Sequence, residues 1–79
     1  MNKNIGGSIV EMVTLETNTL GDVGYNEEKQ ELVAEFRRGG AYVYSAVPKS
    51  VYDGLLAAAS PDEYFSVNIK NGYSYNRVG

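Results

Sequence analysis

The hydrophobic period of this chain changes at one proline, and that change limits the folds open to it. Before Pro48, apolar and polar residues alternate in several short segments, which is typical of half-buried strands. After Pro48, apolar residues recur at helical spacing. Pro48 itself suits the first position of a helix, because its missing N–H would have no partner there. The sequence therefore predicts strands followed by helices, the α+β class.

The strands are expected to form a small antiparallel meander. We predict strand segments at residues 9–15, through Val23 and Tyr25 after a turn at Gly21-Asp22, at residues 31–37, and at residues 41–47. The last three make up the meander, with a polar loop at residues 26–30 and a tight turn at Gly39-Gly40 between them. Whether residues 9–15 join this sheet or pair with another chain is left open by the sequence, and a free edge there would favour a homo-oligomer.

One main helix and a short second helix are predicted to pack on the meander. The first runs from Pro48 to near Ala59 with an apolar stripe of Val51, Tyr52, Leu55, Leu56 and Ala59, of which Leu55 and Leu56 should be the most buried. Gly54 weakens this helix by about 1 kcal/mol relative to alanine, which favours a close neighbour over it. Ser60, Pro61 and Glu63 predict a capping box at the start of the second helix, which would bury Tyr64 and Phe65.

Length and composition exclude most catalytic chemistry. Seventy-nine residues make one domain, predicted over residues 9–79 after a flexible leader at 1–8. The chain has no cysteine and no histidine, so thiol nucleophiles, imidazole bases and thiolate metal sites are absent. We therefore predict a protein that is not an enzyme and has no cofactor or metal. The absence of cysteine fits a cytoplasmic location, and the longest apolar run, residues 55–59, is too short to span a membrane.

Charge divides the chain into an acidic and a basic part. Residues 1–36 hold two lysines against seven carboxylates, a net charge of −5, whereas residues 37–79 hold five cations against three carboxylates, a net charge of +2. Duplex DNA and long RNA usually require a broad basic face, which this balance does not offer. A local cationic patch in the second part suits one or a few phosphates.

Two pairs of tyrosines, Tyr42 with Tyr44 and Tyr73 with Tyr75, pose a choice between core and binding surface. Residues two apart on a strand share a face. A two-residue loop before Ala41 would put Tyr42 and Tyr44 on the face opposite Phe36, whereas a three-residue loop puts all three together in the core. Gly39 and Gly40 favour the three-residue loop, so we expect Phe36, Tyr42 and Tyr44 on one side.

The order of several motifs carries a resemblance to a known family. They are "TLGDVGYN", "ELVAEFRRGGAYVYSAVP", "VYDGLLAAAS" and "YFSVNIKNGYSYNRV". Over roughly residues 17–78 the chain thereby resembles the KTSC domain, a short bacterial and phage module named for its occurrence at the C-terminus of some lysyl-tRNA synthetases. Pro61-Asp62 and the weakly basic residues 68–71 depart from the usual pattern. The resemblance implies an α+β fold for a single KTSC-like domain, and RNA binding has been suggested for the family.

Two functional hypotheses follow. The first is a non-enzymatic module that binds a nucleotide-type, phosphate-bearing ligand, and one form of it is a phage-type protein that sequesters a nucleotide signal of host immunity. The second is an RNA-binding or protein-docking accessory domain. The candidate ligand-binding residues are Arg37, Arg38, Lys70, Tyr73, Tyr75 and Arg77, with rings to stack on a base and cations to hold phosphate. The alternatives are a closing strand packed on the meander for the tyrosines and a solvated turn for the two hairpin arginines.

Overall fold

A six-stranded antiparallel sheet forms the framework, with the strands neighbouring one another in chain order. The computed structural model describes residues 2–5, 8–15 and 17–79. Its strands are β1 (Asn2–Ile5), β2 (Ser8–Thr14), β3 (Leu20–Asn26), β4 (Glu31–Phe36), β5 (Ala41–Tyr44) and β6 (Tyr75–Arg77). Together with two helices between β5 and β6 they confirm the predicted α+β class. Within the described residues, no helix has the length and apolar character needed to cross a membrane.

The two helices are α1 (Lys49–Ala57) and α2 (Pro61–Asn68). Pro48 stands immediately before α1 as its N-cap, one position earlier than predicted. Ser60 is the N-cap of α2 but makes no side-chain capping hydrogen bond, so the predicted capping box is not formed. Asp62 and Glu63 still place negative charge in the first turn, where the helix dipole favours it.

The helices cover one side of the sheet, called here the front face. Its core consists of ten buried residues, namely Leu20, Val23, Leu32, Ala34, Tyr44, Val47, Tyr52, Leu55, Phe65 and Ile69. Leu55 is fully buried, as predicted, but Leu56 is 39% exposed and the prediction for it was wrong. Tyr52 and Leu55 are the buried residues of α1, so the stripe that this helix packs on the sheet is narrower than predicted and the Leu56 side chain turns outward.

The close neighbour expected over Gly54 is Tyr64 of α2. A β-carbon built on Gly54 would lie 2.8 Å from the Tyr64 Cζ, closer than real side chains approach. The Tyr64 hydroxyl donates a hydrogen bond to the Val51 carbonyl oxygen at 3.0 Å. The absence of a side chain at Gly54 therefore lets α1 and α2 pack closely.

The hairpin between β4 and β5 has the three-residue loop that the glycines favoured. Ala34 pairs with Tyr42 and Leu32 with Tyr44. The Phe36 N–H donates to the Gly40 carbonyl at 3.1 Å across the loop, and Gly39 has a positive φ of 104°. Tyr42 and Tyr44 consequently lie on the front face with Phe36, which confirms the predicted register.

Two predictions for the first part of the chain differ from the structure. Gly21 and Asp22 lie inside β3, at a register shift between Leu20 and Val23, and do not form a turn before it. The flexible leader was predicted over residues 1–8, yet residues 2–5 form β1, which pairs with β2. Positions 1, 6 and 7 of that leader lie outside the described residues. Backbone pairing with β2 supplies the order that the polar sequence of β1 did not indicate.

The second strand also closes the opposite side of the sheet. A small cluster of Val10, Met12, Val33 and Val43 is buried there. A β-carbon on Gly24 would lie within 3 Å of the Val10 and Met12 side chains, so the missing side chain at Gly24 admits β2 to this position. Residues 9–15, whose pairing the sequence left open, therefore belong to the sheet of this chain through β2.

Candidate functional site

An open groove lies between the β4–β5 hairpin and α2, at the end of the front face that α1 does not cover. Its volume is about 450 Å³. Aromatic side chains make up its floor, two cations line it from different elements of the fold, and the small polar residues Thr19, Ser66 and Asn71 complete the lining. Pockets for small molecules commonly measure about 300–1,000 Å³ and combine apolar surface with a few polar groups, so the groove has the size of a small-ligand site.

Four aromatic rings of the floor and the buried Phe65 contact one another in a closed circuit, called here the aromatic circuit. Phe36 contacts Tyr42, Tyr42 contacts Tyr75, Tyr75 contacts Tyr44, Tyr44 contacts Phe65, and Phe65 returns to Phe36, with centroid separations of 5.4–5.6 Å. Each contact falls in the range in which aromatic pairs add about 0.5–1.5 kcal/mol beyond the burial of their area. The floor is therefore a rigid surface whose rings hold each other in place.

Tyr75 is the exposed member of this circuit. It is 54% exposed on the three-residue edge strand β6, while Tyr44, which it faces across the strand pair, is only 3% exposed. An exposed ring that contacts two other tyrosines keeps π surface open to solvent and has little conformational freedom left to lose. Such a ring suits stacking against a planar ligand.

Two cations line the groove from different elements. Arg38 is in the hairpin loop, and Lys70 follows directly after α2. Among the described residues that line the groove, none is an aspartate or glutamate. Arg77 lies just outside, with its guanidinium carbon 6.0 Å from the Tyr42 ring centre and its Nε donating to the Gly79 carbonyl. The groove is thus locally positive in a protein whose net charge is −3.

Arg37, next to Arg38 in sequence, makes entirely different contacts. Its guanidinium donates hydrogen bonds to the backbone carbonyls of Thr17 and Leu15, the latter at 3.2 Å. Its backbone N–H donates to the Thr19 carbonyl at 2.9 Å. Arg37 therefore holds the segment before β3 against the hairpin.

The same segment is held from the other side by Asp62 of α2. The Asp62 carboxylate accepts hydrogen bonds from the backbone N–H groups of Thr19 and Leu20, both at 3.3 Å. Because Thr19 lines the groove, Arg37 and Asp62 together fix the position of this wall. Both act as positioning residues for it.

The tyrosine hydroxyls in the groove are available to a ligand. The hydroxyls of Tyr42, Tyr44 and Tyr75 form no hydrogen bond with any other described residue. They are not buried polar groups left unsatisfied among the described residues. Burial raises the pKa of Tyr44, with smaller contributions from the neighbouring Tyr75 and Tyr42. Tyr44 is therefore a neutral hydrogen-bond donor at physiological pH.

The structure brings only some of the six candidate residues to the groove. Arg38, Lys70 and Tyr75 line one groove, and Arg77 lies against its floor. Tyr73 is partly buried and packs against the front-face core, while Arg37 is bound to backbone carbonyls. The sequence predicted Phe36, Tyr42 and Tyr44 to be core residues, but it did not indicate that the same rings form the floor of the groove. Thr19, Ser66 and Asn71 were missed because nothing in their local sequence distinguishes them from other polar surface residues.

Metal binding has no support in this arrangement. Among the described residues, no group of three or more aspartate, glutamate, histidine or cysteine side chains is placed to hold an ion. The groove offers an exposed ring at Tyr75, tyrosine hydroxyls for hydrogen bonding, and positive charge from Arg38 and Lys70.

Comparison with known proteins assigns the family. The model of the KTSC domain matches residues 16–73, which extend from the segment before β3 to the turn after α2. The chain belongs to the KTSC domain family. A relative from Stutzerimonas stutzeri (strain A1501) is 39% identical over 67 residues, which are 84% of this chain and 94% of the relative. Another, from Tsukamurella paurometabola, is 34% identical over 59 residues, or 75% of this chain and 88% of the relative.

A solved structure supports the fold of this KTSC domain. The crystal structure of a KTSC domain protein from Yersinia pestis superposes with a TM-score of 0.86, covering 89% of this chain and 99% of that one. At 23% sequence identity the likeness concerns the fold. The family match ends at Tyr73, so β6 with Tyr75 and Arg77 lies beyond it.

Proposed function

We propose that this KTSC domain is a non-catalytic module that binds a nucleotide-type, phosphate-bearing ligand in the groove between the β4–β5 hairpin and α2. The observation that carries the proposal is the combination of the exposed Tyr75 ring with Arg38 and Lys70 around one groove. A base needs a flat apolar surface and a phosphate needs positive charge, and here both lie within about 450 Å³.

The stacking part of the proposal rests on Tyr75. Its contacts with Tyr42 and Tyr44, at 5.5 and 5.4 Å between ring centres, hold the ring in place. Loss of a stacked aromatic side chain typically weakens nucleic-acid ligands by about 1–3 kcal/mol per base. Hydroxyls of the same tyrosines, with Ser66 and Asn71, would supply hydrogen bonds to the polar edges of a base or ribose.

The phosphate part rests on Arg38 and Lys70. Neither has a hydrogen bond or ion pair with another described residue, and no carboxylate lines the groove beside them. Charge-assisted hydrogen bonds to phosphate are roughly twice as strong as neutral ones. Two free cations that line the same groove are therefore suited to bind a phosphate group there.

Sequestration is the form of binding that these residues suit best. The chain has no histidine or cysteine to activate a nucleophile, so the groove offers affinity and orientation. A protein that holds a nucleotide signal and lowers its free concentration needs both of these properties and no turnover.

The proposal is tested by thermal shift and calorimetric titration with nucleoside mono-, di- and triphosphates, cyclic nucleotides and a short single-stranded RNA. A ligand at a hundredfold excess over its Kd stabilises the folded state by about 2.7 kcal/mol, which is easily seen in a domain of this size. We expect at least one nucleotide to bind with one-to-one stoichiometry. If only the RNA binds, the accessory RNA-binding role replaces this proposal; if nothing binds, a protein-docking role does.

Variants locate the site. Arg38→Ala and Lys70→Ala should each weaken binding by at least about tenfold, because removing a charge-assisted contact costs about 1.5–3 kcal/mol. Lys29→Ala is the matched control, since it removes the same charge from the exposed turn between β3 and β4, away from the groove. Equal effects of all three substitutions would show a nonspecific electrostatic attraction and would refute a groove site.

A further inference from the structure

The two free cations lead to a narrower ligand class. We infer that the groove prefers nucleotides that carry a terminal phosphomonoester over nucleotides whose phosphate is a diester, as in cyclic nucleotides and the interior of RNA. This inference rests on the proposed function and specifies the ligand of the same groove.

The number of cations available at the groove is small. Arg37 is occupied by the carbonyls of Leu15 and Thr17, and Arg77 Nε by the carbonyl of Gly79. Lys49 pairs with Asp53 on α1, with 3.2 Å between Nζ and Oδ1. Arg38 and Lys70 remain as the cations that line the groove with no partner among the described residues.

Arg38 and Lys70 place two positive charges at one groove, which suits a ligand whose negative charge is concentrated on one phosphate group. A phosphomonoester carries a charge of about −1.5 to −2 at neutral pH and has three terminal oxygens, so it can accept from a guanidinium and an ammonium together. A diester carries one charge and has two terminal oxygens. A chain of diesters would spread its charges beyond the groove, toward a surface whose net charge is negative.

Several charged or titratable side chains surround the groove in which the phosphate is proposed to bind. The other groups around the groove are the hydroxyls of Tyr42, Tyr44 and Tyr75, the Arg77 guanidinium over Tyr42, and the Asp62 carboxylate behind Thr19. The chain has no histidine, the side chain whose charge ordinarily changes between pH 5 and 8. A change in affinity near pH 6 therefore reports on the second ionisation of the ligand phosphate, which lies at about pH 6.

The experiment compares ligands that share everything except the phosphate ester. Calorimetric titrations are run with the four ribonucleoside 5′-monophosphates and with their four 3′,5′-cyclic counterparts. For the base that binds best, we expect the monophosphate to bind about tenfold more tightly than its cyclic form. A trinucleotide with a 5′-phosphate and the same trinucleotide with a 5′-hydroxyl distinguish a free nucleotide from an RNA end as the source of the monoester.

The pH dependence supplies a second readout. If the dianion is the species bound, affinity for the monophosphate should fall about fourfold between pH 7.5 and pH 5.5, where only about a quarter of the phosphate is doubly ionised. The cyclic nucleotide has no ionisation in this range and should show no such fall. Lys70→Ala should reduce the preference for the monoester, and Lys29→Ala should leave it unchanged.

The outcomes separate the inference from the function on which it rests. Cyclic nucleotides that bind the groove as tightly as the monophosphates, with the same loss on Arg38→Ala, would overturn the inference and leave the proposed function standing. Failure of all eight nucleotides and of both trinucleotides to bind would overturn both. If the preference for the monoester were as strong in Arg38→Ala and in Lys70→Ala as in the unaltered protein, the assignment of the phosphate to these residues would be contradicted.

Discussion

The two ends of the front face use aromatic residues in opposite ways. At the end covered by α1, Tyr52 stacks on Tyr25 with 5.4 Å between ring centres and an interplanar angle of 18°, above the fully buried Leu55. The Tyr25 hydroxyl donates to the Val47 carbonyl. At the groove end, Tyr75 is mostly exposed and the tyrosine hydroxyls have no partner among the described residues.

The difference teaches where this small domain obtains its stability and where it keeps surface for a ligand. The covered end packs its rings against α1 and bonds the Tyr25 hydroxyl to the Val47 carbonyl, so substitutions there should act on folding. The groove end keeps free cations and a free ring on a rigid floor, so substitutions there should act on binding. The following predictions test that separation.

The largest effect is expected at the covered end. Leu55→Ala should lower the free energy of unfolding by about 2–5 kcal/mol, because it removes a fully buried side chain and leaves a cavity. In a domain whose total stability is about 5 kcal/mol, urea unfolding should then show a large unfolded population in water.

Leu56→Ala is the matched control, with the same chemistry on the outer side of α1. Because Leu56 is partly exposed, its truncation should cost much less than that of Leu55. Equal losses from the two substitutions would mean that α1 is rotated relative to the orientation described here.

A smaller and more selective effect is expected at the hairpin. Arg37→Ala should lower stability by about 1 kcal/mol through loss of its hydrogen bonds to the carbonyls of Leu15 and Thr17. Arg38→Ala should change stability by no more than about 0.5 kcal/mol, since its side chain is exposed and unpaired among the described residues.

The same pair should show a different contrast in ligand affinity. Under the proposed function Arg38→Ala removes a direct contact with the ligand, whereas Arg37→Ala acts only through the wall at Thr19. Urea unfolding and nucleotide titration of both variants measure the two effects. If Arg37→Ala weakened binding more than Arg38→Ala without any loss of stability, the division between the arginines would be wrong.

The smallest effect is a dependence of stability on alkaline pH. Burial raises the pKa of Tyr52 at the covered end and of Tyr44 at the groove end above the tyrosine value of 10.0. The folded state therefore favours the neutral phenols, so this contribution is fully present below about pH 10 and is lost as pH rises through the folded pKa values.

Urea midpoints measured across that range should decline, and the decline should be shallower in Tyr52→Phe and in Tyr44→Phe. Phenylalanine keeps most of the buried ring and removes the ionisation. An unchanged slope in both variants would show that neither phenol contributes to the alkaline loss of stability.

The sequence predicts much of the covered end because its information is local and periodic. Strand alternation through Leu32 and Ala34 and the helical stripe through Leu55 both follow from short segments. The glycine-rich loop that sets the register of Tyr42 is equally local, although it lies at the groove end. Leu56 was misjudged because periodicity marks a stripe and does not show how wide a stripe the sheet covers.

The groove could be predicted only in part because it is assembled from distant segments. Arg37 and Arg38 are adjacent and chemically alike, and their separate contacts depend on where residues 15–19 lie after folding. Asp62 and Thr19 are 43 positions apart, so no local pattern joins them. Arg38, Lys70 and Tyr75 could be named as candidates because charge and aromatic character are visible in sequence, but their common groove is not.

The separation of the two ends is tested most directly by the amide chemical shifts of the labelled protein during titration with the nucleoside monophosphate that binds best. We expect saturable shifts at residues that line the groove, chiefly Thr19, Gly39, Ser66, Asn71 and Tyr75, with little change at Tyr25, Tyr52 or Leu55. Saturable shifts centred on α1 and the covered end, with the groove amides unchanged, would contradict the account.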